Sequence, residues 1–285
     1  MLTSKSAAVS PEAAADLTDL TNINEMIFET HAHYNSSQYD EDRQELLASM
    51  QENGVGTIVN VSAEKDSLAK VDELMHSYPF IYGAFGLHPD EVGDMTDELL
   101  EEIRRLSRQD KAVAIGEIGL DYYWDKENHD LQKKWFEAQA ELAREEKLPI
   151  IIHSREAAAD TLDLMKALMK RPGELTGVVH CFSYSKEMAR EYLNMGYYIG
   201  VGGVVTFKNA KKLKEVVDYV PLTSILLETD CPYMAPVPNR GKRNNSIYIK
   251  YVAQEIARIK GVSADEVIAV TRANAENMYY KVKRS

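Results

Sequence analysis

Eight short apolar runs, separated by longer stretches of helical periodicity, constrain this chain more than any other feature. The runs are Ile27 to His31, Thr57 to Val61, Ile81 to Leu87, Val113 to Ile118, Pro149 to His153, Gly177 to His180, Tyr197 to Val201 and Ser224 to Thr229. They are nearly continuous in Val, Ile and Ala, as strands covered on both faces should be, and strands of that kind are usually parallel. Between them, apolar residues recur at helical spacing, as in Leu99, Leu100, Ile103 and Leu106 or Trp135, Ala138 and Leu142. Eight strand and helix pairs closing on themselves form a (β/α)₈ TIM barrel, an α/β architecture. Beyond the eighth strand the pattern predicts extra C-terminal helices on the barrel's outside. One runs from Ile247 to Lys260, a short one is capped by Ser263 through Glu266, and a last one spans Arg272 to Val282.

The chain has 285 residues, a length that α/β barrels reach as one domain. Met1 to Glu25 is rich in Ala, Ser, Thr and Asp and has neither an apolar core nor a basic start, so it reads as a disordered N-terminal extension. The single barrel domain is then 26–285. No run of eighteen apolar residues is present, so no membrane role is expected. Two cysteines, Cys181 and Cys231, fit a reducing, cytoplasmic setting rather than a disulfide framework. The formal charge of −12 disfavours wholesale attraction to polyanions, so any such partner needs a locally positive site, which bound metals or a basic loop would provide.

The histidines and several carboxylates fall at one end of the predicted strands. His31 and His33 end the first strand, one residue apart, a spacing that aims both imidazoles the same way. His88 follows the third strand, Glu117 ends the fourth, His153 the fifth, His180 the sixth, and Glu228 and Asp230 the eighth. That C-terminal end is where (β/α)₈ barrels carry their chemistry. Four histidines and two carboxylates exceed the needs of one tetrahedral ion, whereas two ions need two clusters and a bridging carboxylate. Glu117 is the expected bridge, with His31, His33 and Asp230 on one ion and His153 and His180 on the other. Asp230 doubles as the candidate base. For His88 and Glu228 three roles stay open: a third ion, a phosphate contact, or protonation of the leaving oxygen.

Six motifs in this order, Glu29-Thr30-His31-Ala32-His33, Gly86-Leu87-His88-Pro89, Gly116-Glu117-Ile118-Gly119-Leu120-Asp121, His153-Ser154-Arg155, His180-Cys181-Phe182 and Glu228-Thr229-Asp230-Cys231-Pro232-Tyr233, resemble the TatD family of metal-dependent deoxyribonucleases. The resemblance runs from about Met26 to Tyr280. It implies an amidohydrolase-like barrel that hydrolyses phosphodiester bonds of DNA, often from the 3′ end, with divalent metal. Four positions depart from the family pattern: Glu29 stands for the usual Asp, Asn35 for an acid, and Asn245-Ser246 for a Glu-Pro pair.

The expected cofactors are two divalent ions, with room for a third. Four imidazoles favour zinc or manganese, while the resemblance points to magnesium. The expected substrate is DNA, as single strands or frayed ends. An alternative on the same barrel is hydrolysis of a small ester, amide or aminoacyl substrate. Arg155, and Arg240, Lys242 and Arg243 in the loop after the eighth strand, are candidate phosphate contacts. Tyr122, Tyr123 and Trp124 either stack on a base or pack their loop, and packing is the preferred reading. Cys181 and Cys231 read as small buried apolar residues, and the lysines from Lys208 to Lys214 as the wet side of a helix.

Overall fold

The computed structural model describes residues 26–282, so the expectation for the N-terminal extension lies outside the described residues. The first half runs β1 (Ile27–Ala32), α1 (Arg43–Ala48), β2 (Val55–Val61), α2 (Ser67–Ser77), β3 (Ile81–Phe85), α3 (Asp97–Ser107), β4 (Ala112–Asp121) and α4 (His129–Glu146). The second runs β5 (Ile150–Arg155), α5 (Ala158–Leu168), β6 (Gly177–Val179), α6 (Lys186–Asn194), β7 (Tyr198–Val201), α7 (Lys211–Tyr219), β8 (Ile225–Leu227), α8 (Ile249–Lys260) and α9 (Ala264–Met278). The strands lie side by side in chain order and every ladder is parallel. Thus each of the eight apolar runs is a strand of one (β/α)₈ barrel.

Two apolar layers hold it together. The larger lies between the strands and the helices, where Val71, Ile103, Phe136 and Val252 are wholly or almost wholly buried against strand residues such as Ile58, Ile115 and Ile150. The smaller fills the lumen. Phe28, Val59, Ala84, Ala114, Ile151, Val178 and Leu226 each come from a different strand, and Tyr198 of β7 packs against them.

The C-terminal segment departs from expectation. Ser263 does cap through Glu266, with its Oγ accepting from the Glu266 amide, but one helix, α9, replaces the expected two. Nor does it simply cover the outside: Ala275, Met278, Tyr279 and Val282 join the lumen cluster. Polar side chains direct it there. Arg272 donates to the Met26 carbonyl at 2.9 Å, and the Asn274 amide donates to the carbonyls of Leu222 and Ile225, both at 2.9 Å. These acceptors lie where β1 and β8 begin, so α9 plugs the N-terminal end of the barrel. The opposite end is left open for chemistry.

Candidate metal centre

The seam between β8 and β1 builds the first cluster. Beyond the last β8 residue, the Asp230 amide donates to the His31 carbonyl at 3.0 Å and the His33 amide to the Cys231 carbonyl at 2.8 Å. Asp230 takes a left-handed conformation (φ 55°) to turn the chain at this point, a geometry Asp adopts more readily than most residues. As a result His31 Nε2, His33 Nε2 and Asp230 Oδ1 converge: the two nitrogens are 3.0 Å apart, and the oxygen is 3.8 and 3.4 Å from them.

Glu117, on β4, divides its two oxygens. Oε2 lies 3.3 Å from His31 Nε2 and 3.6 Å from His33 Nε2, while Oε1 lies 2.7 Å from His153 Nδ1 and 2.9 Å from His180 Nε2. Close approach of β5 makes this possible, since at Gly119 a Cβ would fall 1.9 Å from the His153 carbonyl oxygen. Donors around an ion at metal-ligand distances of about 2.1 Å sit roughly 3–3.5 Å apart, so the first cluster fits a divalent cation in number, type and spacing, while His153 groups more closely with His88 and Asp121 than with His180. Proximity also groups His31 with Glu117 and His180, because the two clusters share one carboxylate.

Buried partners behind the imidazoles set which nitrogen faces the centre. His33 Nδ1 is 2.9 Å from the Val61 carbonyl, so it carries the proton and Nε2 presents its lone pair. His153 Nε2 is 2.9 Å from Asp121 Oδ2, and His180 Nδ1 is 3.6 Å from Glu228 Oε1. Among the described residues, the ion-pair partners of Glu117 and Asp230 are all imidazoles. Burial works against their charge, but the surrounding imidazoles outweigh it. They hold the Glu117 carboxyl well below the ordinary range and Asp230 below it too. Burial likewise opposes the charged form of His153, yet bonds to Asp121 and Glu117 push it up to about 8; His33 and His180 also rise. His31 goes the other way, lowered by burial and by the adjacent His180.

Three relatives place these observations. The family model described as "TatD related DNase" matches residues 28–280. This chain belongs to the TatD family. It is 45% identical over 254 residues to the uncharacterized metal-dependent hydrolase YabD of Bacillus subtilis (strain 168), covering 89% of this chain and 99% of that one. Identity to the uncharacterized metal-dependent hydrolase YcfH of Escherichia coli K12 is 34% over 257 residues, 89% and 96% of the two chains. The crystal structure of YjjV, a TatD homolog from Escherichia coli K12, superposes with a TM-score of 0.84 at 32% identity, covering 91% and 99%. The chain is therefore a TatD-family metal-dependent hydrolase.

The remaining expected site residues of this TatD protein divide. His88 faces the centre, 3.7 Å from Glu117 Oε1, and forms a third group with Asp121 and His153. Glu228 does not share that position at the mouth. It is buried behind His180, accepts the Cys181 amide at 2.5 Å, and occupies space over Gly200 where a Cβ would meet it at 2.4 Å. Asp121, to which sequence reasoning gave no role, is buried against His153; its signal was a second acid four residues past Glu117 on the same strand. Glu29 lies beneath the seam, accepting the amides of His31 (3.2 Å) and Thr229 (2.9 Å), with burial pushing its carboxyl up to about 8. Ser246 is buried against the Tyr34 hydroxyl, and Asn245 accepts the Ile247 amide.

Around the centre opens a cavity of about 980 Å³ lined by Arg155 and Trp124 among others, but not by Arg240, Lys242 or Arg243. Those three, expected as phosphate contacts, are engaged within the protein instead of facing the cavity. Asn244 pins the loop through the carbonyls of Thr229 and Tyr233, which turns its basic side chains elsewhere. Arg243 pairs with Asp42 and lies over the Tyr39 ring, Arg240 covers Phe207, and Lys242 reaches Asn239. Of the loop aromatics, Tyr122 packs, stacked on His129 and bonded to Asp160, whereas Tyr123 and Trp124 are exposed. Cys231 is buried as expected, while Cys181 is only partly so.

Proposed function

We propose that this TatD-family hydrolase cleaves phosphodiester bonds of DNA from a strand end, with His31, His33, Glu117 and Asp230 holding one divalent ion and Glu117, His153 and His180 a second. The observation that carries the reading is the division of Glu117 Oε1 and Oε2 between two imidazole clusters. Bound there, two such ions supply an acidified water and polarise a phosphoryl oxygen, which suits in-line displacement at phosphorus. Asp230 stays ionised among its imidazoles and takes the water's proton. His33 keeps Nε2 unprotonated through its bond to Val61, Asp121 fixes the ring of His153, and the Glu228 carboxylate lies 3.6 Å behind that of His180. His88, partly exposed at the mouth, is positioned to meet a phosphate oxygen or a further ion. The family description and the fit of the donor set support DNA as substrate.

Incubation of purified protein with a single-stranded oligonucleotide, with and without chelator, tests this. Stepwise shortening that chelation stops and added manganese or magnesium restores is the expected result. No cleavage under any divalent metal would instead favour a small ester or amide substrate.

A further inference from the structure

The rim of the cavity is electrostatically lopsided. Asp40, Glu64, Asp66, Asp90 and Glu91 line it on the loops that follow β1, β2 and β3, and the one lysine on that side, Lys70 of α2, is paired with Glu73. Their mutual repulsion is visible at Glu91, whose carboxyl is raised by burial and then by Asp90 and Glu64. Across the centre, after β4 and β5, stand Arg155 and Trp124. Among the described residues no carboxylate forms an ion pair with Arg155. Its guanidinium lies over the Tyr123 ring, 4.0 Å from the centroid, and 5.4 Å from that of Trp124. A polyanion reaching the centre is repelled by one side and met by a cation on the other.

Single exposed aromatics are common and need no explanation. This one is held in place. The amides of Tyr123 and Trp124 both donate to Asp121 Oδ1 at 2.8 Å, while the other oxygen of the same carboxylate lies 2.9 Å from His153 Nε2. One buried acid therefore ties the aromatic turn to an imidazole of the centre. Trp124 is 65% exposed and lines the cavity, so its ring is accessible to a flat partner although its backbone is fixed, while Tyr123, 40% exposed, carries the Arg155 guanidinium over its ring.

We infer that Trp124, with Tyr123 and Arg155, forms a stacking platform for a base of single-stranded DNA, next to the nucleotide whose phosphate enters the centre. The inference rests on the DNA reading above and adds its binding subsite. Stacking tolerates any base because every base has a π-face, so the platform gives grip without sequence preference. Arg155 contributes twice, as the charged edge of the stack and as a cation on the cavity wall that no carboxylate of the described residues pairs.

The test measures binding of two labelled oligothymidylates with phosphorothioate linkages, in the presence of manganese. One is complete and the other lacks bases at the two terminal positions. Trp124→Ala is expected to weaken binding of the complete strand about tenfold and that of the abasic strand less than about twofold, with Trp124→Phe close to the parent protein. Tryptophan emission of the parent protein should fall on adding the complete strand. Equal losses for both strands, or none for either while the protein still cleaves DNA, overturn the platform and leave the DNA reading standing. Absence of both binding and cleavage overturns the two together.

Discussion

At the N-terminal ends of the strands, α9 presses Ala275, Met278 and Tyr279 onto apolar residues from the surrounding strands, and its polar groups find partners in the carbonyls of Met26, Leu222 and Ile225. At the C-terminal ends the same strands deliver imidazoles and carboxylates into near contact, and buried atoms such as His31 Nδ1 and Glu29 Oε2 have no hydrogen-bond partner. Left-handed conformations at Cys181 and Asp230 also fall at this end. Strain of that kind and unpaired polar atoms each cost about 1–3 kcal/mol, so the apolar plug and the helix layer offset what the open end loses. A barrel separates the two tasks spatially: one end supplies stability, and the other holds groups that packing alone would reject.

The sharpest way to break this division is Asp230→Asn. Asn tolerates the left-handed backbone and keeps the shape, but it neither accepts the water's proton nor carries the charge that holds a cation. Removing a positioned general base costs about 10²–10⁴ in rate, so cleavage by D230N should fall about a thousandfold. Its melting temperature under chelation should stay within a few degrees of the parent. A collapse of the chelated protein would mean that the open end also supports the fold.

Met278→Ala asks the converse question at the plug. Met278 is 4% exposed in the lumen cluster, and truncating a buried Met costs about 2–5 kcal/mol. Chemical denaturation should show a loss in that range, while turnover measured well below the melting temperature stays within about twofold. A large drop in turnover without a loss of stability would join the two ends that the comparison separates.

The barrel was legible because doubly covered strands leave an unbroken apolar signature, which survives down to three-residue strands such as Gly177–Val179 and Ile225–Leu227. The residues of the centre were legible because chemistry-bearing side chains fell after strand upon strand. α9 was misread where Arg272 and Asn274 interrupt the apolar pattern: both are buried polar residues that serve backbone acceptors, and periodicity counts them as solvent-facing. The basic residues Arg240, Lys242 and Arg243 lie off the cavity, contrary to the expectation that their loop faces it, for a related reason. Being near the active end of the chain does not fix which way a loop turns, and that depended on two bonds from Asn244. Asp121 escaped notice because a supporting acid has no spacing rule of its own.

The smallest effect, and the one that reads both ends at once, is the pH dependence of stability with and without metal. In the metal-free protein burial disfavours the charged form of His153, but its bonds to Asp121 and Glu117 win and lift it from the usual 6.5 to about 8, with His33 and His180 raised in the same sense. A folded-state pKa above the unfolded one means that the folded chain binds the extra proton. The resulting stability is complete below about pH 6.5 and is lost as pH climbs through 8. Glu29, raised by burial from 4.5 to about 8, acts in the same direction from about pH 4.5 up to 8, across the whole of that range and below it. Chelated protein should therefore melt at steadily lower temperature from pH 6 to 8.5. Metal ligands must be deprotonated, so affinity for a divalent ion rises over the same interval, and a ligand at a hundred times its Kd stabilises by about 2.7 kcal/mol. The gap between loaded and chelated melting temperatures should widen with pH, and Met278→Ala, which touches no titrating group, should lower both curves without changing the gap. A gap that stays flat from pH 6 to 8.5 would show that these imidazoles do not exchange protons for a cation.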